Sequence, residues 1–145
     1  MYEKILIAMD GSDHAKHALT YALESAVKWS AELVILTVVP PISSLTYFDE
    51  FRVQYIPDLM DNLRESHKRI LSEAANTVKN NQPDMKVETR LEEGRPSDVI
   101  VEIAQEEDVD LIVMGSRGMG GIVGFLGSTS RHVVEACTKP ILVVK

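Results

Sequence analysis

The sequence predicts an α/β fold, with a five-stranded parallel sheet in the order 3-2-1-4-5 and helices on both faces. Two observations lead to this prediction. Five short segments suited to strands alternate along the 145 residues with segments of helical periodicity. Most of these strand segments are apolar at nearly every position, which is typical of strands covered on both faces. Right-handed crossovers between successive strands then predict a single domain over residues 1–145 with strand one beside strand four.

The first strand and helix are predicted near the amino terminus. KILIAM, residues 4–9, is apolar at every position after Lys4, and Ser12 follows in the position of a helix N-cap. A helical stripe of apolar side chains comes next: Ala15, Ala18, Leu19, Ala22, Leu23, Ala26 and Val27. Residues 32–39 form a second apolar segment, which ends at Pro40-Pro41. The pattern therefore begins strand, helix, strand.

The middle of the chain continues the alternation. Residues 58–80 carry apolar side chains at helical spacing. Residues 85–94 alternate apolar and charged side chains, which predicts an edge strand. Pro96 suits the first turn of a helix that runs to about Glu107.

The last third of the chain completes the sheet and predicts where a ligand would bind. Residues 109–115 and 140–145 are apolar strands, and residues 128–139 between them form a helix. In the predicted order, the chain reverses direction between strands one and four, and open α/β sheets bind ligands at such a switch point. Asp10 and Met114-Gly115 end these two strands, so the ligand crevice is expected there.

One connection is unusually long. Residues 40–57 include Tyr47, Phe48, Phe51 and Tyr55, half of the eight aromatic residues of the chain. A segment of this length predicts a lid or a contact surface, and a loop folded onto the core is the alternative.

Composition narrows the class of protein. The net charge of −7 argues against a general nucleic-acid or anionic-membrane binder, because both need a basic surface. Cys137 is the one cysteine, so a reducing compartment is expected, and its apolar helical setting predicts a buried structural thiol. No segment is typical of a signal peptide or a membrane span. These features predict a cytoplasmic protein.

The segment MGSRGMGGIVGFLGSTS, residues 114–130, contains six of the eight glycines. It matches neither the P-loop pattern nor the dinucleotide fingerprint, since no glycine precedes a lysine and Val123 replaces the third glycine. It nevertheless suits an anion, because small residues expose backbone N–H groups and a helix begins after Gly127. No acidic residue lies between Asp110 and Glu135. A flexible loop followed by a serine N-cap is the alternative.

The whole chain resembles the universal stress protein family. ILIAMDGSDHAKHAL is similar to the opening of that family, and VMGSRG with GSTSRHVVEACTKPILVVK is similar to its close. The nucleotide-binding branch carries glycine, two residues, glycine, nine residues, then glycine with serine or threonine. Gly115, Gly118 and Gly127-Ser128 match this pattern, except that eight residues, 119–126, form the spacer.

The resemblance implies a Rossmann-like fold and an ATP site in the crevice. Asp10 would lie beside the nucleoside with Ala8 on the adjoining wall, and Val39 would offer backbone groups to adenine. Met114 and Gly115 would pass along the ribose. The phosphates would be held by Gly118, Gly127, Ser128 and Thr129. Arg117 is added on charge alone. The short spacer leaves open whether the loop closes around a triphosphate or favours AMP, ADP or another nucleotide.

No side chains form a recognisable catalytic set. His14 and His17 share a helical face beside Asp13, and a solvated face explains them better than a metal site. Local packing explains His132 better than catalysis, and helix capping explains Ser12 and Ser128. If ATP binds, Asp10 could help to hold Mg²⁺ through water. A binding protein is therefore favoured over an enzyme.

Three functions remain open. The first is a nucleotide-responsive switch or adaptor in a stress response, acting on an unknown partner protein. The second is a dimeric interaction protein that binds no nucleotide, and the third is a slow ATPase. The resemblance also implies a homodimer, and residues 140–145 would be a suitable edge strand for its interface.

Overall fold

The computed structural model describes residues 1–41, 56–118 and 126–145. The predicted role of residues 40–57 therefore lies almost entirely outside the described residues. The described elements are β1 (Lys4–Ala8), α1 (Asp13–Trp29), β2 (Glu32–Val39), α2 (Ile56–Asn81), β3 (Val87–Glu93), α3 (Pro96–Glu106), β4 (Leu111–Gly115), α4 (Ser128–Ala136) and β5 (Ile141–Val144).

The five strands form one parallel sheet in the order β3-β2-β1-β4-β5, which confirms the predicted topology. β1 lies at its centre, with Ile5 opposite Leu33 of β2 and Leu111 of β4. The edge position predicted for β3 is also confirmed. β1, β2 and β4 therefore end side by side, on either side of the switch point.

The sheet separates two hydrophobic cores because successive side chains of a strand point to opposite faces. Ile5 and Ile7 pack with apolar side chains of α1 and α2 on one face. Leu6 packs with those of α3 and α4 on the other face. All three side chains are fully buried, and burial of each stabilises the fold by about 1.5–3 kcal/mol.

The carboxyl terminus of α4 differs from the prediction. The helix ends at Ala136 instead of continuing to residue 139, and Cys137 has an extended backbone. Pro140 closes the connection, and a residue that precedes proline avoids the helical region. Cys137 packs against the core under α3 and α4 but is only half-buried, so the predicted burial of its thiol is partial and its predicted helical setting was wrong.

Asp110, just before β4, forms hydrogen bonds to the start of β1 at the amino-terminal end of the sheet. Its carboxylate accepts hydrogen bonds from the backbone N–H groups of Glu3 at 2.7 Å and Lys4 at 3.0 Å. These two bonds hold the pKa of the Asp110 carboxyl below its usual range.

Within the described part of the chain, no helix has the length and apolar character needed to cross a membrane.

Candidate functional site

A cavity of about 400 Å³ lies at the carboxyl ends of β1, β2 and β4 and is called here the carboxyl-end cavity. The structure brings nine of the ten predicted site residues to its wall: Ala8, Asp10, Met114, Gly115, Arg117, Gly118, Gly127, Ser128 and Thr129. Residues more than 100 positions apart thus meet at the predicted switch point.

Val39 is the predicted site residue that the structure does not place on this wall. Its side chain is fully buried, and its carbonyl accepts the backbone N–H of Gly94 at 3.0 Å. Val38 lines the cavity instead, together with Leu36. Side chains along β2 alternate between the two faces, so Val39 points away from the face that Leu36 and Val38 share. Both positions are valine, so the sequence carries no signal that separates them.

One wall of the cavity is apolar. It includes Ala8, Leu36, Val38, Ile100 and Met114. Four of these side chains come from strands, but Ile100 comes from α3, which the glycine pattern does not include. Apolar walls with a few polar groups are typical of small-molecule sites, and this wall could cover a flat ring.

Glycines in the same lining allow the backbone to pack closely. A Cβ atom added to Gly118 would lie 2.7 Å from Oδ2 of Asp10, and one added to Gly115 would lie 2.8 Å from the backbone carbon of His14. Real side chains essentially never approach so closely. The two glycines therefore let the end of β4 lie directly against the start of α1.

The two helices that begin at the cavity differ in their capping. At α1, the Ser12 hydroxyl accepts the backbone N–H of Ala15 at 3.1 Å, which confirms the predicted N-cap. Asp10 Oδ1 accepts the N–H of Ser12 at 2.9 Å. The first turn of α1 is therefore held by the chain's own side chains.

At α4, by contrast, the N-cap is Gly127, and no described side chain caps the helix. Ser128 lies inside the first turn, so its interpretation as a capping residue was wrong. The Ser130 hydroxyl turns away and donates to the Ser116 carbonyl at 2.8 Å. The first N–H groups of a helix have no partner within it, so the start of α4 presents donors and a positive dipole end to the cavity.

The charged side chains of the lining are Asp10 and Arg117. Arg117 lies 2.7 Å from the Nε2 atom of His14, and His14 is half-buried. The prediction of a solvated face therefore does not hold for His14. On the same helix, His17 is exposed, with Nδ1 3.0 Å from the carbonyl of Lys145. His132 lies outside the lining, with Nε2 3.3 Å from an Asp98 oxygen.

A metal site built from several side chains is not evident in the described ranges. No three His, Cys, Asp or Glu side chains among residues 1–41, 56–118 and 126–145 are grouped so as to hold a metal ion. What the cavity offers is an apolar wall, one carboxylate, one guanidinium and an open helix N-terminus. This combination suits a ligand with a flat apolar part and an anionic part.

Comparisons with known proteins agree on one family. The model of the universal stress protein family matches residues 1–145. The universal stress protein YxiE of Bacillus subtilis is 35% identical over 150 residues, covering all of both chains. Universal stress protein UspA from Lactobacillus plantarum superimposes with a TM-score of 0.84 at 27% identity, covering 99% of this chain and 98% of that one.

Two further solved structures contain nucleotides. A universal stress protein in complex with cAMP has a TM-score of 0.73 at 26% identity and covers 99% of this chain and 97% of its own. The universal stress protein from Archaeoglobus fulgidus in complex with dAMP has a TM-score of 0.68 at 26% identity, covering 99% and 98%. Sequence, family model and fold lead to the same conclusion: the chain belongs to the universal stress protein family.

Proposed function

We propose that this protein binds ATP in the carboxyl-end cavity and acts as a nucleotide-responsive switch or adaptor in a cytoplasmic stress response. The observation that carries the proposal is the uncapped N-terminus of α4 within the cavity. Backbone N–H groups of Ser128 and Thr129 would bind the phosphates, and the hydroxyl groups of the same residues add donors. The apolar wall that includes Val38 and Ile100 would cover the adenine ring.

Relatives support the class of ligand. Structures of two other family members contain cAMP and dAMP, which are adenine nucleotides with one phosphate. These two relatives support a nucleotide with one phosphate, and the preference for a triphosphate is our addition to the proposal. It rests on the match of Gly118, Gly127 and Ser128 to the nucleotide-binding pattern and on the charge of Arg117.

Asp10 could supply the single carboxylate that a magnesium ion beside the phosphates needs. Its Oδ1 atom accepts the Ser12 N–H, and Oδ2 faces the space beside Gly118. Mg²⁺ usually keeps several waters and needs only one or two carboxylates besides the phosphates of a nucleotide. When bound, the ion would neutralise phosphate charge. Asp10 would orient its water molecules.

Binding is proposed ahead of hydrolysis. The titratable side chains in the described lining are Asp10 and Arg117, and one of the two Asp10 oxygens already accepts the N–H of Ser12. Slow ATP hydrolysis is the second candidate. Release of phosphate in a single turnover with excess protein distinguishes the two, because a pure binding protein returns the ATP unchanged.

Calorimetric titration of the nucleotide-stripped protein with Mg-ATP tests the proposal, with AMP and cAMP as comparison ligands. Gly127→Val is the control, since a Cβ atom there would lie 3.3 Å from Cα of Arg117 and 3.4 Å from the carbonyl oxygen of Ser116. We expect micromolar ATP binding that the variant loses. Equal affinity for AMP and ATP would show that the adenosine end of the site binds and that the β- and γ-phosphates contribute nothing. If none of the three nucleotides bound, the proposal would be refuted and the alternative function, an interaction protein that binds no nucleotide, would remain.

The same proposal includes a homodimer formed through residues 140–145. In the described sheet, β5 pairs with β4 alone. The carbonyls of Pro140 and Val144 accept N–H groups on the β4 side at 2.9 and 2.7 Å. By alternation, the backbone of Ile141 and Val143 faces the open edge.

Light scattering tests the dimer, with a mass twice that of the 16.1 kDa chain expected. Val143→Pro removes a donor from the open edge without removing a bond to β4, so we expect this variant to be monomeric and folded. A monomeric parent protein would contradict the dimer and leave the nucleotide site unaffected.

A further inference from the structure

His14 and Arg117 form a hydrogen bond whose chemistry fixes the state of the histidine. A guanidinium group has five N–H donors and no acceptor. The Nη2 atom of Arg117 lies 2.7 Å from Nε2 of His14, so Nε2 must be the acceptor. The ring is therefore neutral and carries its proton on Nδ1, which lies 3.5 Å from Oγ of Ser116.

This bond orients Arg117 without neutralising it. Among the residues that the structure describes, no carboxylate lies within 4.0 Å of its guanidinium nitrogens. Arg90, on β3, shows the usual alternative, with carboxylate oxygens of Glu92 and Glu107 each at 2.7 Å. A neutral imidazole instead leaves the positive charge of Arg117 available to an anion.

The surrounding backbone holds both partners in place. His14 is in the first turn of α1, and its backbone is so close to Gly115 that a Cβ there would lie within 2.8 Å. On the other side, Cα of Arg117 lies 3.3 Å from the position of a Cβ on Gly127. The pair therefore joins the start of α1 to the loop beside the start of α4.

We propose that His14 is a positioning residue for Arg117 and holds its guanidinium at the phosphate end of the carboxyl-end cavity. The inference rests on the proposed function for its ligand, a nucleotide with a charged phosphate chain. His14 lies outside the cavity lining and acts through Arg117. Its effect should therefore appear with ATP and be absent with adenosine, which lacks phosphates.

Two substitutions at position 14 test the inference by titration with ATP and with adenosine. His14→Phe keeps a ring but removes the acceptor, and we expect ATP affinity to fall about tenfold while adenosine affinity stays unchanged. In His14→Gln, the carboxamide oxygen can replace Nε2, so most of the ATP affinity should return. His14→Phe should weaken ATP binding no further once Arg117→Ala is present.

Unchanged ATP affinity in His14→Phe would overturn the inference. Equal losses for ATP and adenosine would also overturn it, because they would indicate a general packing defect.

A spectroscopic measurement is independent of any nucleotide. In ¹⁵N spectra of the free protein, His14 should show a protonated Nδ1 and an unprotonated Nε2, and Arg117→Ala should shift the Nε2 signal. A protonated Nε2 would overturn the positioning role. Failure of the parent protein to bind ATP and adenosine would instead refute the proposed function, and the spectrum separates the two failures.

Discussion

The two ends of the sheet carry cavities of similar volume but different charge: the described lining of the first has one acidic and one basic residue, and that of the second has three acidic residues and Lys86. Among the described residues, the charged ones that line the carboxyl-end cavity, about 400 Å³, are Asp10 and Arg117. The second cavity, about 480 Å³, lies at the amino ends of the strands and is called here the amino-end cavity. Its lining includes the carboxylates of Glu3, Glu32 and Asp84. Volume alone therefore does not distinguish the proposed nucleotide site from a surface hollow.

The difference follows from the direction of the helices. In a parallel α/β sheet each helix runs opposite to its neighbouring strands, so helix N-termini gather at the carboxyl ends of the strands. The starts of α1 and α4 line the first cavity. The second is lined by the last turn of α1 and by Gln82, directly after α2. Helix dipoles thus favour an anion at one end and oppose it at the other.

Carboxylates at the amino end of the sheet stabilise the fold through ion pairs and hydrogen bonds within the protein. Glu32 pairs with Lys86 at 2.8 Å, and Asp110 accepts the N–H groups of Glu3 and Lys4. Each joins segments that are distant in the sequence. At the carboxyl end, by contrast, residues 111–134 contribute no acidic side chain to the proposed phosphate site.

The comparison predicts that an added carboxylate weakens ATP binding at the carboxyl end and leaves it nearly unchanged at the amino end, and Ser128→Glu gives the largest effect. A carboxylate in the first turn of α4 occupies the proposed phosphate position, so ATP affinity should fall about a hundredfold in a calorimetric titration. The helix itself should not be destabilised, because a negative charge near its N-terminus is favourable. An unchanged or higher melting temperature with lost ATP binding would be the expected pair of results.

Gln82→Glu is the matched control in the amino-end cavity. It adds the same charge with almost no change of shape, about one sheet length from the proposed ligand. ATP affinity should change by less than about twofold, since exposed charges at such distances are screened by salt. If both variants lost ATP binding equally, net charge and not the start of α4 would control affinity, and the distinction between the two cavities would fail.

A smaller effect is predicted for the acid dependence of stability at Asp110. Its pKa is lowered because it accepts N–H groups, first from Glu3 and then from Lys4. A lowered native pKa contributes stability above the unfolded value, near 3.9, and that stability is lost as the pH falls through the native pKa. Asp110→Asn should lose up to about 1 kcal/mol of unfolding free energy at neutral pH, and the difference should shrink below about pH 4.

Urea unfolding at pH 7 and pH 3 measures this difference, with Asp108→Asn as the comparison variant. Asp108 also loses a charge partner, Lys139 at 2.7 Å, but its side chain is 89% exposed, so a smaller effect is expected. Equal destabilisation by Asp110→Asn at both pH values would show that its charge contributes nothing.

Strand order and most element bounds could be predicted because buried parallel strands have an unambiguous apolar pattern. β2 was predicted at residues 32–39, as observed. β4 was predicted to begin at residue 109 and begins at Leu111. Val109 is fully buried, but its N–H bonds the carbonyl of Ala104 in the turn after α3. Apolar character thus indicated burial correctly but could not assign the hydrogen bond.

A site residue could be predicted from the sequence where only one residue type fits its position. Gly115 and Gly118 allow a backbone approach that any Cβ would block. Ile100 lines the same cavity as the glycines but was missed, because the glycine pattern does not include residues of α3. Val39 was predicted in place of Val38 because the sequence does not show which of two adjacent strand residues faces the cavity. That choice depends on how the sheet packs.

The sequence by itself determined the sheet order, the switch point and an acid-free glycine segment beside it, because periodicity and charge are properties of neighbouring residues. Only the tertiary structure decided that the start of α4 is open. It also decided that His14 and Arg117, 103 positions apart, share a hydrogen bond. Such contacts depend on how α1 packs over β4, and the side chains of either segment alone do not specify that packing.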